Sequence, residues 1–292
     1  MRSITGIMVL AVAFLVGASV ALAQDGGCDV NCAEAACGSC NSGCCGGLVF
    51  DTELTFLRYF QEGGVTDGVG SPAETDYEFA PRFVLGYAGA NGLGVRVRYF
   101  ELDASVTSVI GNAAGVNAYT LDTEFFQEYS LGCDTTIEFS LGLRQSELWL
   151  DSTDLFTDPA NPMFGLYGFS GFGGTMGAQV NRNVLNGSIY ARARMSLLMG
   201  DAVARGVDLN TGLSATTRAD DCTAVQTELG IGYEICRCTS LGMVTLRSGV
   251  EWQNWANMAI ADTGVPFFGA PGGDEMEDAG LAGFVVGFGL ER

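Results

Sequence analysis

Hydrophobic and polar residues alternate along most of the chain, and the alternation recurs in about ten segments. In one of them, GVRVRYFEL at residues 94–102, Val95 and Val97 alternate with Arg96 and Arg98. A period of two is typical of a β-strand, in which successive side chains lie on opposite faces. The pattern therefore predicts an all-β protein whose strands have one apolar and one charged face.

The length of the segments and of the links between them indicates the kind of β-protein. The segments have roughly 10 residues or slightly more, which suits tilted strands that cross a bilayer. Strands of soluble sandwiches are shorter, at about 5–6 residues. Short links also alternate with longer ones, as periplasmic turns alternate with external loops in outer-membrane barrels. We predict a transmembrane antiparallel up-and-down β-barrel of about 10 strands, with long loops near residues 61–76, 103–115, 151–162, 200–221 and 256–279.

A soluble β-sandwich or a lipocalin-like barrel would show the same alternation, with its apolar face turned inward. The segment length, the alternating links and the 42 glycines favour the membrane barrel. In such a barrel the apolar face contacts lipid, because a charge facing lipid near the midplane costs about 2–4 kcal/mol. Arg58 falls on the apolar face, and we expect it to extend to the headgroup boundary.

The charged faces of the segments then line the interior of the barrel. Arginine forks bind carboxylates at two points, so these side chains could form a charged constriction or a network of salt bridges that fills a narrow barrel. Barrels of about eight strands leave room inside for side chains alone, and ten strands lie close to that limit. The predicted pore-lining residues are Arg82, Arg96, Arg98, Asp122, Glu124, Glu138, Arg144, Arg192, Arg194, Glu228, Glu234, Arg247 and Glu251.

The N-terminus has the features of a secretory signal peptide. Arg2 precedes the apolar run at residues 7–20, and Ala21-Leu22-Ala23 is a small-x-small cleavage site. We predict a cleaved signal peptide at residues 1–23, a Cys- and Gly-rich periplasmic segment at 24–47 and a barrel at 48–292. No other stretch of the sequence is long and apolar enough to span a bilayer as a helix.

Export makes disulfides chemically permissible for the ten cysteines. A single crowded C-x-x-C is weak evidence for zinc, so we predict no metal site. The predicted topology places Cys222 at the outer rim and the other cysteines on the periplasmic side. Disulfides would link the N-terminal segment to the turns or crosslink subunits, and the connectivity stays open. The disulfide candidates are Cys28, Cys32, Cys37, Cys40, Cys44, Cys45, Cys133, Cys236 and Cys238.

Several stretches resemble the pore-forming outer-membrane proteins of the Legionella major outer membrane protein type. They are VFDTELTFLRYFQEGG at 49–64, FVLGYAGANGLGVRVRYFELD at 83–103, GSIYARARMSLLMG at 187–200 and LGMVTLRSGVEWQNW at 241–255. The resemblance spans most of residues 48–292 and implies a pore-forming β-barrel in a bacterial outer membrane. The tail GFVVGFGLER is similar to the closing strand of outer-membrane barrels, although it ends in Glu291-Arg292 and lacks a terminal aromatic residue.

The charge and the missing residue types exclude several functions. The chain has 14 basic residues, all arginine, and 34 acidic ones, so its net charge of -20 argues against nucleic acid as a partner. The chain has no histidine, which excludes Ser-His and Cys-His catalysis. There is no dinucleotide fingerprint or P-loop, and we predict no cofactor and no enzyme. The acidic loops would concentrate cations.

We expect the barrel to contact outer-membrane lipid and to let small ions or solutes diffuse passively. The alternative is a closed barrel that acts as a structural or surface-interaction protein through its external loops. Self-association, or a disulfide link to an envelope partner, stays open at this point.

Overall fold

The computed structural model describes residues 46–61, 76–107, 113–131, 134–154, 163–240, 242–256 and 279–292. Ten antiparallel strands in this part of the chain form a closed barrel, in which each strand pairs with its neighbours in sequence and β1 pairs with β10. The predicted fold class is therefore confirmed. The strands are β1 (Gly47–Gln61), β2 (Glu78–Ala88), β3 (Leu93–Thr107), β4 (Ala113–Ser130), β5 (Thr135–Asp154), β6 (Met163–Val184), β7 (Gly187–Asp208), β8 (Ser214–Thr239), β9 (Gly242–Ala256) and β10 (Ala279–Glu291).

The two faces of the wall follow the alternation in the sequence. The outward face carries many large apolar side chains that are exposed on the isolated chain, as a surface in contact with lipid requires. Phe56 and Phe79 on neighbouring strands, for example, have ring centroids 5.8 Å apart on the outer surface. In the described residues, no helix is long and apolar enough to cross a membrane.

The C-terminal strand closes the barrel, as predicted from its sequence. Its pairing with β1 runs from Val49 opposite Glu291 to Gln61 opposite Ala279. Leu48 and Arg292 also exchange two backbone hydrogen bonds, of 2.7 and 2.9 Å. Both ends of the barrel sequence and the short turns therefore lie at the same end. We call this the periplasmic end, following the usual topology of bacterial outer-membrane barrels.

Several strands extend farther from the membrane than the alternation indicates. The prediction of a loop at residues 200–221 was wrong, because β7 continues to Asp208 and β8 already begins at Ser214. Outside the lipid the outward face no longer has to be apolar, so the alternation is lost while the backbone pairing continues. A register shift between Gly200 and Ala202 marks the change, and Asp221 has a positive φ of 59° there.

The longest strands, β6 to β8, have 22, 22 and 26 residues. About 9–11 residues suffice for a tilted strand to cross a bilayer. This side of the barrel therefore forms a wall that projects beyond the external membrane surface. Cys236, one of the cysteines expected at the periplasmic turns, lies within β8, opposite Thr245 of β9.

Candidate functional site

The interior of the barrel has the predicted charged residues on its wall. All thirteen of them fall on inward-facing positions, because they share the period of two with the buried residues of their strands. Seven arginines and seven acids form ion pairs there, in two groups that we name after their central acids. The Glu53 cluster consists of Asp51, Glu53, Arg82, Arg192, Arg247 and Glu251. The Glu228 cluster consists of Arg96, Arg98, Asp122, Glu124, Glu138, Arg144, Arg194 and Glu228.

In the Glu53 cluster, three arginines surround Glu53 at the inner wall of β1. Arg192 approaches its Oε1 to 2.5 Å and Arg247 to 3.2 Å, and Arg82 donates to its Oε2. Arg82 also reaches Glu251, with 2.5 Å between Nη2 and Oε1. Glu53 and Arg82 are both buried, so each charge depends on these partners in place of water.

In the Glu228 cluster, arginine side chains approach the central acid from two directions. Arg144 Nη1 lies 2.6 Å from Glu228 Oε1, and Arg98 Nη2 lies 2.6 Å from Oε2. Arg96 extends the cluster toward the periplasmic end, with 2.9 Å to Glu124 and 2.8 Å to Glu138. The numbers of arginines and acids are equal in the two clusters combined, so the ion-paired layer is close to neutral.

The pair formed by Arg98 and Glu228 crosses the whole barrel. Arg98 is on β3 and Glu228 on β8, five strands apart in a ring of ten, so the two residues start from opposite walls. The pair therefore divides the cross-section of the lumen at this level. The other ion pairs lie beside it in the middle of the barrel, where Arg192, Arg194 and Arg247 keep 11–17% of their side-chain surface exposed.

A second layer lies above the first, toward the external end. It is apolar and faces inward, which the sequence analysis did not predict. Its large members come from seven strands and are fully or almost fully buried. The Arg82 guanidinium stacks on one of them, Phe100, at 5.2 Å from the ring centroid. We call this the apolar layer: Leu57, Tyr59, Phe100, Leu102, Leu148, Tyr167, Phe169, Leu198, Trp255 and Leu281.

The sequence did contain a signal for the apolar layer. On β3 the inward positions change from Arg96 and Arg98 to Phe100 and Leu102 as the strand approaches the external end. A prediction of one charged face and one apolar face for the whole strand does not include this change along the inward face. Cys222, predicted to lie at the outer rim, is buried in the same region of the interior.

The periplasmic end of the interior is acidic. Glu138 and Glu234 lie there as predicted, and Glu128 and Glu291 face inward beside them, which the prediction missed. Glu128 continues the inward series of Asp122 and Glu124 at the same period of two, so the sequence could have indicated it. Within the described ranges, no group of three or more His, Cys, Asp or Glu side chains is placed to hold a metal ion.

The sequence matches, over residues 61–291, the family described as the Legionella pneumophila major outer membrane protein precursor. The chain belongs to this major outer membrane protein family. The match includes nine of the ten strands, and the expected family and the bacterial outer membrane as its location are confirmed. The comparison with curated proteins gave no match.

Solved structures of outer-membrane proteins are similar to this member of the family at low sequence identity. A major outer membrane protein from Thermus thermophilus is 9% identical with a TM-score of 0.42, covering 85% of this chain and 99% of its own. The outer membrane protease OmpT from Escherichia coli is 6% identical with a TM-score of 0.47, covering 84% and 97%. The translocator domain of NalP from Neisseria meningitidis is 12% identical with a TM-score of 0.40, covering 99% and 97%.

The remaining predicted residues of this family member lie mostly outside the described part of the chain. These are the signal peptide, nearly all of the Cys- and Gly-rich segment, and the cysteines Cys28, Cys32, Cys37, Cys40, Cys44, Cys45 and Cys133. Of the other disulfide candidates, Cys236 faces the interior, with its Sγ 3.3 Å from the Thr245 hydroxyl. The predicted disulfides stay a prediction.

Proposed function

We propose that this protein is a closed outer-membrane barrel with a structural or surface-interaction role. The observation that carries the proposal is the ion pair between Arg98 and Glu228 across the diameter. Removing one partner of a buried pair leaves an uncompensated charge, which typically costs about 3–5 kcal/mol. Separating Arg98 from Glu228 while the surrounding interior stays dry would carry a similar penalty.

The apolar layer supports the same proposal independently. Ions avoid a constriction lined by apolar groups, because such a constriction tends to lose its water. Phe169 and Leu198 are completely buried in this layer, on the external side of the ion-paired layer. An ion entering from outside would have to displace the apolar layer first and then separate the ion pairs.

The external wall provides the surface on which such a protein would act. Beyond the lipid-facing part, β7 and β8 carry exposed charged residues, and Arg218 pairs there with Asp201 and Asp220. The tip of this hairpin exposes Leu209 and Leu213. A paired two-stranded wall holds these groups in a fixed arrangement, whereas an irregular loop would not.

Passive diffusion of small ions or solutes is the second candidate function. Two observations favour it: the chain belongs to a major outer membrane protein family, and the ion-paired and apolar layers have a particular composition. The layers that close the barrel consist of side chains of the wall strands themselves. Rotamer changes alone could therefore open a narrow path, and the acidic periplasmic end would favour cations.

The deciding experiment is a recording of single-channel currents from the folded full chain in a planar bilayer. Insertion is verified separately by protease protection of the inserted protein. We expect no current steps from the wild type. Discrete steps that scale with salt would contradict the closed barrel and support diffusion. The double variant Arg98→Ala with Glu228→Ala serves as the comparison, because it removes the pair across the diameter without leaving one charge unpaired.

We further propose that the protein is not an enzyme. The chain has no histidine, and the acids in the middle of the interior form ion pairs with arginine.

The partners of the protein would be membrane lipid and molecules at the external surface. Self-association and disulfide linkage to the envelope belong to the same proposal, and gels run with and without reductant test them.

A further inference from the structure

A third kind of residue lies between the ion-paired layer and the apolar layer. On six strands, the inward position two residues beyond an ion-paired residue, on its external side, is a hydroxyl or an amide. The next inward position is apolar. A Ser196–Thr175 hydrogen bond of 2.9 Å adds a seventh strand. We call these residues the polar belt: Thr55, Thr120, Ser146, Thr175, Ser196, Gln226 and Gln253.

Three neighbouring side chains at the boundary between the polar belt and the apolar layer each have one polar atom without a hydrogen-bond partner. These atoms are Gln226 Nε2, Gln253 Oε1 and Trp255 Nε1. The exposed fraction of all three residues is 0–1%. A buried donor or acceptor that stays unpaired costs roughly 1–3 kcal/mol, so three of them side by side require an explanation.

The three atoms belong to one small region of the wall. Gln226 on β8 is directly opposite Trp255 on β9, and Gln253 comes two residues earlier on the same face of β9. Directly opposite side chains have Cβ atoms about 4.5–5.5 Å apart, and diagonal ones about 7–8 Å. A single small molecule could thus contact all three.

The other bonds of the two amides determine which of their atoms are free. Gln253 Nε2 donates to Glu251 Oε1 at 2.5 Å, which leaves its oxygen unpaired. Gln226 Oε1 accepts from the Ser146 hydroxyl at 3.3 Å, which leaves its nitrogen unpaired. The region therefore offers two donors, an amide and an indole N–H, and one acceptor.

We propose that Gln226, Gln253 and Trp255 form a binding site for one water molecule. Water accepts two hydrogen bonds and donates others, and buried waters typically make about three bonds to groups of this kind. An anion would meet the Gln253 oxygen, and a cation would meet two N–H donors. A neutral molecule that both accepts and donates hydrogen bonds, such as water, matches all three atoms.

The position of the site determines how the bound water exchanges. The apolar layer separates it from the external solvent, and the ion-paired layer separates it from the periplasmic end. Its exchange with bulk water then requires the barrel to open transiently at one of these layers. The site would be occupied in a closed barrel and in one that opens occasionally, so the inference does not depend on the proposed function.

The test uses nuclear magnetic resonance of the folded full chain in lipid nanodiscs, with 15N-labelled tryptophan. The chain has three tryptophans, and the variants Trp149→Phe and Trp252→Phe assign the indole signals without changing Trp255. We expect the Trp255 indole proton to show cross peaks to water that have opposite signs in NOE and ROE spectra, as for a water bound for longer than nanoseconds. Absence of these peaks in the wild type would overturn the proposal.

A variant pair tests whether Gln226 holds the same molecule. Gln226→Leu removes one of the three partners, and we expect the Trp255–water peak to fall below about half of its wild-type intensity. The control Thr227→Leu changes the next residue of β8, which faces outward, and should leave the peak unchanged. An unchanged peak in Gln226→Leu would contradict the site. If this variant does not fold, the wild-type spectrum alone decides.

Discussion

Arg144 and Asp122 meet in a two-point contact inside the barrel, with 2.6 Å from Nε to Oδ1 and 2.7 Å from Nη2 to Oδ2. Both side chains are completely buried. They lie on neighbouring strands, directly opposite each other in the register of β4 and β5. The planar guanidinium and the planar carboxylate match in shape, and this geometry gives the strongest kind of charged hydrogen bond.

Asp122→Asn should destabilise the barrel by about 3 kcal/mol, because it leaves the buried Arg144 charge without its two-point partner. The measurement is urea unfolding of the protein in lipid vesicles, followed by tryptophan fluorescence. Asp201→Asn is the matched control, since Asp201 pairs with Arg218 at the exposed external wall. It should leave the unfolding midpoint unchanged. Equal effects of the two variants would contradict the idea that burial makes the interior pair important.

Trp149 on β5 packs its ring over Gly168 on β6, directly opposite in the register. A Cβ at position 168 would lie 2.1 Å from the nearest ring atom, so Gly168→Ala must displace the indole. We expect a loss of about 1–3 kcal/mol in the free energy of unfolding. Gly174→Ala on the same strand is the control, because no atom lies within 4 Å of its Cβ position. A neutral Gly168→Ala would show that the ring moves aside freely.

The direction of each side chain in the lipid-facing part could be predicted from the sequence, because a strand allows two faces and a lipid face excludes charge. For this reason the sequence predicts an inward direction for Arg96 and Arg98, and both are at inward-facing positions of β3. The contact of Arg98 with Glu228 could not be predicted in the same way. It depends on the number of strands and on their stagger, which place β3 opposite β8. Two residues 130 positions apart in sequence have no local pattern in common.

The extension of β7 and β8 could not be predicted for a different reason. Beyond Met199 the outward face meets water, and residues such as Asp201 and Arg205 interrupt the apolar alternation. Backbone pairing continues there because β-sheet hydrogen bonds do not depend on an apolar outer face. Alternation therefore detects the part of a strand that faces lipid and underestimates its full length.

Leu141 faces outward in the middle of β5 and is 64% exposed on the isolated chain. Leu141→Arg should destabilise the barrel by about 2–4 kcal/mol, since it places a charge against lipid near the midplane. Leu213→Arg introduces the same charge at the tip of the β7–β8 hairpin, where the leucine is exposed, and should be neutral. Folding yield into vesicles and urea unfolding measure both variants. A tolerated Leu141→Arg would indicate that this face of β5 does not contact lipid.

Asp208 orders the tip of the β7–β8 hairpin, outside the lipid-facing part of both strands. Its Oδ1 accepts the backbone N–H groups of Thr211, at 3.2 Å, and Asn210, at 2.9 Å. These bonds, first those from Thr211, lower the pKa of Asp208 below its ordinary value of 3.8. Because the folded pKa is lowered, the bonds stabilise the tip fully above pH 3.8 and are lost as the pH falls through the folded pKa.

We therefore expect the Asp208 carboxyl carbon signal to titrate with a midpoint below 3.8, and the Thr211 amide to exchange faster with solvent once this midpoint is passed. Asp208→Asn keeps an oxygen acceptor and removes the titrating group. Its Thr211 amide should show no such transition over the same pH range. A midpoint at or above 3.8 in the wild type would mean that the two N–H groups do not favour the charged carboxylate, and that the turn is held by its backbone bonds alone.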